Sequence, residues 1–209
     1  MTEALPSPVD QWSGSARRRR RGAVALTFKL SAIYWRLKSQ FYYGPQFAHF
    51  GARSRIRKPI FISNPGGMSF GPDVFVRDGA RLEVVDRPGL PPGRLTIGAG
   101  VSIEQDVHIV ACDDVTIGDF TLITARCSII DTVHPVGEGT GASRTSEIAE
   151  ERSHVHIGRR VFIGVNVVIM PGVTIGDNSF IGAGSVVTKD IPANSVAVGA
   201  PARVVRTIE

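Results

Sequence analysis

The chain of 209 residues is long enough for one domain, or for one domain with an arm. Its 43% hydrophobic and 21% charged residues are an ordinary globular balance, and its two cysteines exclude a disulfide framework, so we expect a reducing compartment, the cytoplasm. The net charge of +5 favours anionic partners such as phosphates, nucleic acid or acidic lipid headgroups.

The first part of the chain, residues 1–21, is predicted to be a disordered basic tail. Residues 1–16 contain proline, serine and glycine without periodicity, and the run Arg17–Arg21 follows. Such a run is usually solvated, and weak contact with an anionic membrane at the inner surface is the alternative. No secretory signal is predicted, and Lys29 and Arg36 interrupt the first apolar run, so it is not expected to span a membrane.

A helical arm is predicted over residues 22–55. Apolar residues recur at steps of three and four between residues 22 and 43, which is typical of an amphipathic helix, and Gly44-Pro45 is expected to end it. We expect the apolar stripe to pack on the domain that follows, with insertion into a membrane surface as the alternative. The stripe consists of Leu26, Leu30, Ile33, Leu37 and Phe41.

From residue 56 to residue 191 the apolar period is six. A six-residue period is typical of a parallel β-helix, in which each unit is a short strand plus a corner and three units close a triangular coil. A β-sandwich is the alternative, but it does not account for five phased triplets. The triplets are Phe70, Val76 and Leu82; Ile97, Ile103 and Ile109; Ile117, Ile123 and Ile129; Ile157, Ile163 and Ile169; and Ile175, Ile181 and Val187, with Ile56 and Ile62 as the start of the series.

Three interruptions break this period. Residues 86–94, rich in proline and glycine, are expected to form a small excursion, and two extra residues near Asp113-Asp114 a bulge at a corner. The third is a polar loop over residues 134–154. A loop of this length within a compact repeat is usually functional or disordered.

The phased hexapeptides, the motif Asp131-Thr-Val-His134-Pro and the closing run from Ile169 to Arg203 resemble the hexapeptide-repeat acyltransferases. The resemblance covers residues 50–207 and is greatest to galactoside and maltose O-acetyltransferases and to O-acetyltransferases of cell-surface polysaccharides. It implies an all-β fold, a left-handed parallel β-helix that departs from the usual right-handed crossover. It also implies a homotrimer with active sites between neighbouring prisms, acetyl-CoA as donor, and a hydroxyl of a sugar or glycan precursor as acceptor. Neither a metal nor a nucleic acid is expected.

The same resemblance makes His134 the expected catalytic base. It follows Val133, an inward position, so its side chain is expected to project outward at a corner. A neutral imidazole can take the proton from a sugar hydroxyl while that oxygen attacks a thioester. Asp131 is expected either to orient this ring or to accept backbone N–H bonds at the corner.

Two further residues are candidates for acceptor binding. Asp106 stands where sugar acetyltransferases often place an asparagine, so the acceptor is left open. His108 follows the inward Val107. Its side chain is expected either to line the neighbouring acceptor groove or to be an ordinary surface histidine. His154 and His156 are expected to face solvent.

Coenzyme A requires a slot for its pantetheine arm and cations for its phosphates. In the family, the arm contacts positions that lie on corners, and a backbone N–H near Val165 is expected to meet the oxyanion. Phe162 stands where many relatives carry tryptophan, and Val165 where some carry serine. The cations lie in or before a predicted coenzyme-A-binding tail over residues 192–209. The residues that match the arm contacts are Gly164, Val165, Ala183 and Thr188, and Phe162 is a further expected cofactor-binding residue. The matching cations are Lys189, Arg203 and Arg206.

Other functions are possible on this fold. N-acetylation of an amino sugar or antibiotic and a non-catalytic hexapeptide scaffold are the alternatives to O-acetylation. A zinc hydratase like the γ-class carbonic anhydrases needs two histidines five residues apart, a spacing that the histidines here do not provide. Cys127 is expected in the core, and Cys112, at a corner without an adjacent base, is not expected to be a nucleophile.

Overall fold

Short parallel strands, joined by corners, stack into three sheets that face one another as a triangular prism. The computed structural model describes residues 26–27, 29–87, 89–132 and 153–208. Sheet A contains β1 (His49–Phe50), β4 (Met68–Phe70), β7 (Arg94–Ile97), β10 (Asp114–Ile117), β13 (His154–Ile157) and β16 (Val173–Ile175). Sheet B contains β2 (Arg55–Ile56), β5 (Phe75–Val76), β8 (Ser102–Ile103), β11 (Leu122–Ile123), β14 (Phe162–Ile163), β17 (Phe180–Ile181), β19 (Ser195–Gly199) and β20 (Ala202–Thr207). Sheet C contains β3 (Phe61–Ser63), β6 (Arg81–Val84), β9 (His108–Ala111), β12 (Ser128–Ile130), β15 (Val168–Ile169) and β18 (Val186–Val187).

Successive triplets of strands, from β1–β3 to β16–β18, form six coils in the described part of the chain. Strand β19 adds to sheet B once more, and β20 folds back on β19 as an antiparallel strand. The first strand pair joins β1 to β4, so the sheet ladder begins at His49, within the range predicted for the arm.

The six-residue period is confirmed by the register of the sheets. In sheet A, Phe70 pairs with Ile97, Ile97 with Ile117, Ile117 with Ile157, and Ile157 with Ile175. Sheets B and C align the second and third members of the triplets in the same way, and all fifteen side chains are buried in one core. Each coil therefore buries its inner face only because the coils above and below cover it.

Only one of the three corners varies in length. The steps from sheet A to sheet B and from sheet B to sheet C are six residues in every coil, as from Ile117 to Ile123 to Ile129. The step from sheet C back to sheet A carries the excursion at 86–94, the bulge before β10 and the segment that precedes β13. All three predicted interruptions thus leave the prism along a single edge, the C/A edge. Most of the long loop, residues 133–152, lies outside the described residues.

The N-terminal arm meets the prism through polar groups and through Tyr43, which packs against the core. Helix α1 covers the described residues 26–27 and 29–38, and a π-helical turn (Ser39–Tyr43) and a 3-10 turn (Gly44–Gln46) continue it. The Ser39 hydroxyl accepts the Ile56 N–H at 2.8 Å, and the Gln40 side-chain amide donates to the Ser54 carbonyl at 3.0 Å. These bonds satisfy the open edge of the first coil, whose backbone groups have no preceding coil to pair with.

The expectation that the apolar stripe of the arm packs on its own β-helix is wrong. All five stripe side chains, from Leu26 to Phe41, are between 52% and 78% exposed in the chain. The physical reason is that the first coil presents open backbone groups, which the face bearing Ser39 and Gln40 can satisfy and the stripe cannot. In the part of the chain that the structure describes, no helix has both the length and the apolarity needed to cross a membrane.

Glycine is required where coils approach closely. A Cβ atom built on Gly118 would lie 2.6 Å from the carbonyl carbon of Gly158 in the next coil. By contrast, a Cβ on Gly66, in the 3-10 turn Pro65–Gly67, would meet nothing within 4 Å.

We therefore expect Gly118→Ala to destabilise the protein by about 1–3 kcal/mol, because the coils must separate to admit the methyl group. Gly66→Ala is the matched control and is expected to change stability by less than about 1 kcal/mol. Thermal and urea unfolding followed by circular dichroism at equal protein concentration measure both. Equal stability of the two variants would contradict the close packing of the coils.

Candidate active site

Most of the described site residues lie along the two edges that flank sheet C, whereas Phe162, Arg203 and Arg206 lie on sheet B. Gly164, Val165 and Ala183, together with Asp106, occupy corners between sheets B and C, the B/C edge. Asp131 follows β12, and Thr188 and Lys189 follow β18, so all three lie at the C/A edge. His108 lies on the outer face of sheet C, between these edges. His134 lies outside the described residues.

The B/C edge offers a thin, glycine-containing surface. A Cβ on Gly164 would lie 2.6 Å from the Ala183 nitrogen, so this corner fits against the next coil only without a side chain. Val165 is 38% exposed, and its carbonyl accepts the Gly184 N–H at 2.8 Å. Within the described part of the chain the Val165 N–H makes no hydrogen bond. This amide is therefore a donor that a bound group could use.

Phe162 does not stand alone on the outer face of sheet B. Its ring stacks on Phe180 with centroids 4.5 Å apart and planes 2° from parallel. Leu122 on one side and Val196 on the other extend the pair into an apolar row across four strands. The sequence interpretation missed Phe180, although it follows Phe162 by 18 residues, the length of one uninterrupted coil, and so had to lie beside it.

The predicted cations divide between sheet B and the C/A edge of the prism. Arg206 pairs with Val196 across β19 and β20, so it lies at the end of the apolar row that contains Phe180. Arg203, on the same strand, pairs with Val198. Lys189 lies at the C/A edge instead. A single chain thus joins the two arginines to the row on sheet B but does not place Lys189 on that sheet.

Asp131 accepts three backbone N–H groups. Its carboxylate receives the N–H of Cys112 at 2.7 Å, of Asp113 at 2.8 Å and of Asp114 at 2.9 Å. Burial raises the pKa of the Asp131 carboxyl above its ordinary value, although these three donors act in the opposite direction. Asp131 therefore accepts backbone N–H bonds at the corner, which is one of its two predicted roles. The other role, orienting the ring of His134, stays a prediction.

Asp106 belongs to a column of left-handed corner residues at the B/C edge. Asp106, Arg126 and Asn166 have φ angles of 57°, 59° and 58° in successive coils. Arg126 Nε donates to Asn166 Oδ1 at 2.9 Å, so the exposed guanidinium lies at the edge between Asp106 and Asn166. Arg126 was not among the predicted residues. The 20-residue step from Asp106 was the available signal, since it equals the local coil length.

His108 forms part of an ionic cluster on sheet C. Its Nε2 atom lies 3.0 Å from Glu83 Oε1, and the Arg81 guanidinium donates to the same carboxylate. Partial burial tends to raise the pKa of Glu83, but the hydrogen bonds and charges of Arg81 and His108 lower it below its ordinary value overall. With one nitrogen held by Glu83, His108 has its second ring nitrogen available at the face between the two edges.

The remaining histidines lie on a different sheet. His154 and His156 are on β13 of sheet A, and His156 Nε2 lies 3.3 Å from Asp114 Oδ2. His156 is exposed as predicted, whereas His154 is half-buried. Because these two histidines and His108 occupy different faces of the prism, one chain does not assemble them around a common point.

Both cysteines are buried. Cys127 lies in the core as predicted, and its thiol donates to the Gly164 carbonyl at 3.1 Å. Cys112 Sγ lies 2.8 Å from Thr132 Oγ1. Burial raises the pKa of both thiols, which keeps them protonated and poorly nucleophilic at neutral pH.

Comparison with known proteins agrees with this geometry. Residues 154–189 match the family model for bacterial transferase hexapeptide repeats. The chain is 35% identical over 156 residues to WbbJ of Escherichia coli (strain K12), named as a lipopolysaccharide biosynthesis O-acetyltransferase, a match that covers 72% of this chain and 77% of that protein. It is 45% identical over 125 residues to galactoside O-acetyltransferase of the same organism, covering 56% of this chain and 59% of the relative.

A solved structure extends the comparison over nearly the whole chain. Galactoside acetyltransferase in complex with coenzyme A superposes with a TM-score of 0.59 and 31% identity, covering 96% of this chain and 85% of that one. The chain belongs to the hexapeptide-repeat acyltransferase family. Within it, the similarity is to the galactoside and polysaccharide O-acetyltransferases, and the predicted left-handed parallel β-helix is confirmed.

Proposed function

We propose that this protein transfers an acetyl group from acetyl-CoA to a hydroxyl of a sugar or glycan precursor. The observation that carries the proposal is the B/C edge, where Gly164 lies close to the next coil and the Val165 N–H makes no hydrogen bond to the described residues, beside the row of Phe162 and Phe180. The names of the relatives support the choice of reaction and of acceptor class. WbbJ favours a polysaccharide precursor as the acceptor.

The donor has a natural path along this surface. The pantetheine arm lies against Gly164, Val165 and Ala183, where the absence of bulky side chains lets it approach the backbone. Its phosphates meet Arg203 and Arg206 on β20, whose planar guanidinium groups suit phosphate oxygens. Thr188 and Lys189 lie at the C/A edge, so they can contact the same donor molecule only if the C/A edge of one subunit faces the B/C edge of another.

That requirement favours the homotrimer. The described residues assigned to donor binding lie at the B/C edge, on sheet B and, for Thr188 and Lys189, at the C/A edge of one prism. A neighbouring subunit brings its C/A edge against the B/C edge of the first, so that His134 of one chain reaches the thioester held by another. Each site then has two walls, and three identical interfaces close the ring.

The proposed chemical step uses His134 and the Val165 N–H. His134 takes the proton of the acceptor hydroxyl as the oxygen attacks the thioester carbonyl, forming a C–O bond. The Val165 N–H donates to the resulting oxyanion. Collapse of the tetrahedral intermediate breaks the C–S bond, and the imidazolium returns its proton to the departing sulfur. The products are the acetyl ester and coenzyme A with a free thiol.

Replacing His134 with alanine is expected to lower kcat by about 10²–10⁴-fold, the usual weight of a general base. The KM for acetyl-CoA should change little, because the imidazole faces the acceptor. The measurement is acetyl-CoA consumption over a panel of sugars, glycolipid precursors and amino sugars, with sedimentation of the same samples to establish the oligomeric state. Wild-type turnover in a folded His134→Ala protein would exclude this base, and preference for amine acceptors would favour N-acetylation.

Phosphate recognition is tested by the two arginines of β20. Arg203→Ala and Arg206→Ala are expected to raise the KM for acetyl-CoA about 10-fold, since charge-assisted bonds to phosphate are lost. With 3′-dephospho-acetyl-CoA as the donor, the same variants should differ much less from wild type. Equal effects on both donors would show that these arginines act on the fold of β20 and not on the phosphate.

The arm is proposed to contact an anionic membrane surface. The first 60 residues contain twelve lysines and arginines but only two acidic residues, whereas the remaining chain has an excess of acidic residues. The exposed apolar stripe from Leu26 to Phe41 follows directly on the basic run Arg17–Arg21. Basic residues add about 1 kcal/mol each near an anionic surface, and an apolar helix face adds insertion. Surface residence would bring the enzyme to acceptors carried on lipids.

We expect the protein to bind vesicles that contain anionic lipid, in part even at high salt, because the stripe inserts once the arginines have docked. Deleting residues 1–21 should remove the salt-sensitive part of the binding, and Leu30→Asp the salt-resistant part, with activity on soluble acceptors retained. Co-sedimentation with anionic and with neutral vesicles measures both. Absence of binding at low salt would reject this proposal and leave a neighbouring subunit as the partner of the stripe.

A further inference from the structure

A small cleft lies where the N-terminal arm meets the first coils of the prism. Its lining consists of Arg36 from helix α1, Arg53 from the corner between β1 and β2, Arg55 from β2, and Asp73 from the next coil. The cleft has a volume of about 180 Å³, whereas sites for whole cofactors and drug-sized ligands usually enclose about 300–1,000 Å³. It is therefore suited to a small group and not to a whole nucleotide.

Two of the three guanidinium groups are held in place by contacts that leave hydrogen-bond donors available. Arg53 donates through Nε to Asp73 Oδ1 at 2.6 Å, and through Nη2 to the second carboxylate oxygen. The Arg55 guanidinium lies over the ring of Phe75, with its carbon atom Cζ 4.9 Å from the ring centroid. Among the described residues, no acceptor takes a hydrogen bond from the side chain of Arg55. Both groups are therefore oriented before a ligand arrives, which lowers the entropic cost of binding it.

The positive charge of the cleft exceeds its negative charge. Three guanidinium groups line it together with one carboxylate, that of Asp73, which leaves a net charge of +2. Elsewhere in the first coil, Arg57 is paired, with its Nε atom 3.0 Å from Asp78 Oδ1. Neither Arg36 nor Arg55 forms an ion pair with any residue that the structure describes. The cleft therefore offers an anion two positive charges that no described carboxylate neutralises.

We propose that this cleft binds a phosphate or diphosphate group, held by Arg36, Arg53 and Arg55. Guanidinium groups match phosphate oxygens in geometry, and a dianion balances the net charge of the cleft. The cleft is separate from the surface assigned to the donor. It adjoins β2, the first strand of sheet B, whereas Arg203 and Arg206 lie on β20, the last strand, about 34 Å away at about 4.8 Å per strand. Binding at this cleft does not require acetyl transfer to be the activity of the protein.

A phosphate bound in the cleft joins the arm to the prism, because Arg36 belongs to the arm and the other two arginines belong to the first coil. Adding pyrophosphate to the wild-type protein should therefore slow hydrogen–deuterium exchange of the amides in residues 29–38. The same addition should leave the exchange of these amides unchanged in Arg36→Gln. Unchanged exchange in the wild type, at a pyrophosphate concentration that saturates the protein, would contradict a site shared by the arm and the prism.

Isothermal titration calorimetry of the full chain with pyrophosphate tests the cleft directly. Arg36→Gln and Arg55→Gln are each expected to raise the Kd about 10-fold, because charge-assisted hydrogen bonds are lost. Arg160→Gln is the matched control, since Arg160 is exposed and occupies the same left-handed corner between sheets A and B as Arg53, four coils later. Its Kd should equal that of the wild type. Binding should also persist in Arg203→Ala/Arg206→Ala, which lacks the phosphate contacts proposed for the donor.

Vesicle binding identifies whether the group belongs to a lipid headgroup or to a free phosphate compound. Phosphatidylcholine vesicles with phosphatidic acid, whose headgroup is a phosphomonoester, are compared with vesicles in which phosphatidylserine supplies the same charge. For a lipid headgroup, the wild type should in addition prefer phosphatidic acid, and Arg36→Gln and Arg55→Gln should lose that preference. For a free compound, these variants should lose affinity for pyrophosphate alone. The proposal is overturned if both variants bind pyrophosphate as the wild type does, if Arg160→Gln loses as much affinity, or if binding disappears in Arg203→Ala/Arg206→Ala.

Discussion

Backbone pairing between successive coils is the constraint on which this structure depends. Parallel strands lie about 4.8 Å apart, so each coil must return the chain to the same register before the next strand begins. Two of the three corners meet this condition with a fixed step of six residues in every coil. At such spacing a Cβ atom would clash with the next coil at particular corner positions, which explains glycine at Gly118, Gly158 and Gly164.

The same constraint gives the prism two edges with corners of constant length and one edge, between sheets C and A, with corners of variable length. Extra residues can leave only at a corner, and here they all leave between sheets C and A. The B/C edge stays uniform, which suits a thin cofactor arm that runs along several coils. The C/A edge carries the excursion and the bulge, and residues that accumulate at one edge can contact one another across coils. Examples are the ion pair of Arg87 with Asp113 and the N–H groups of residues 112–114 that Asp131 accepts.

The orientation of the N-terminal arm also depends on backbone hydrogen bonding. The first coil has no coil before it, so its open N–H and C=O groups need polar partners, and the face with Ser39 and Gln40 provides them. The apolar stripe is then directed away from the prism. The stripe therefore stays exposed in the chain and does not cover the core.

The sequence by itself determined the β-helix, its phase and the core positions, because each triplet residue recurs at a fixed local step and register follows from that step. It also placed Gly164, Val165 and Ala183 on corners, since the corner positions recur in the same phase. Only the tertiary structure decided which face of the arm meets the prism and that the side chain of Arg87 pairs with that of Asp113. These contacts join residues whose separation depends on the lengths of the interruptions and on hydrogen-bonding demand at an edge. Apolar periodicity records neither, because it reports only which side chains point inward.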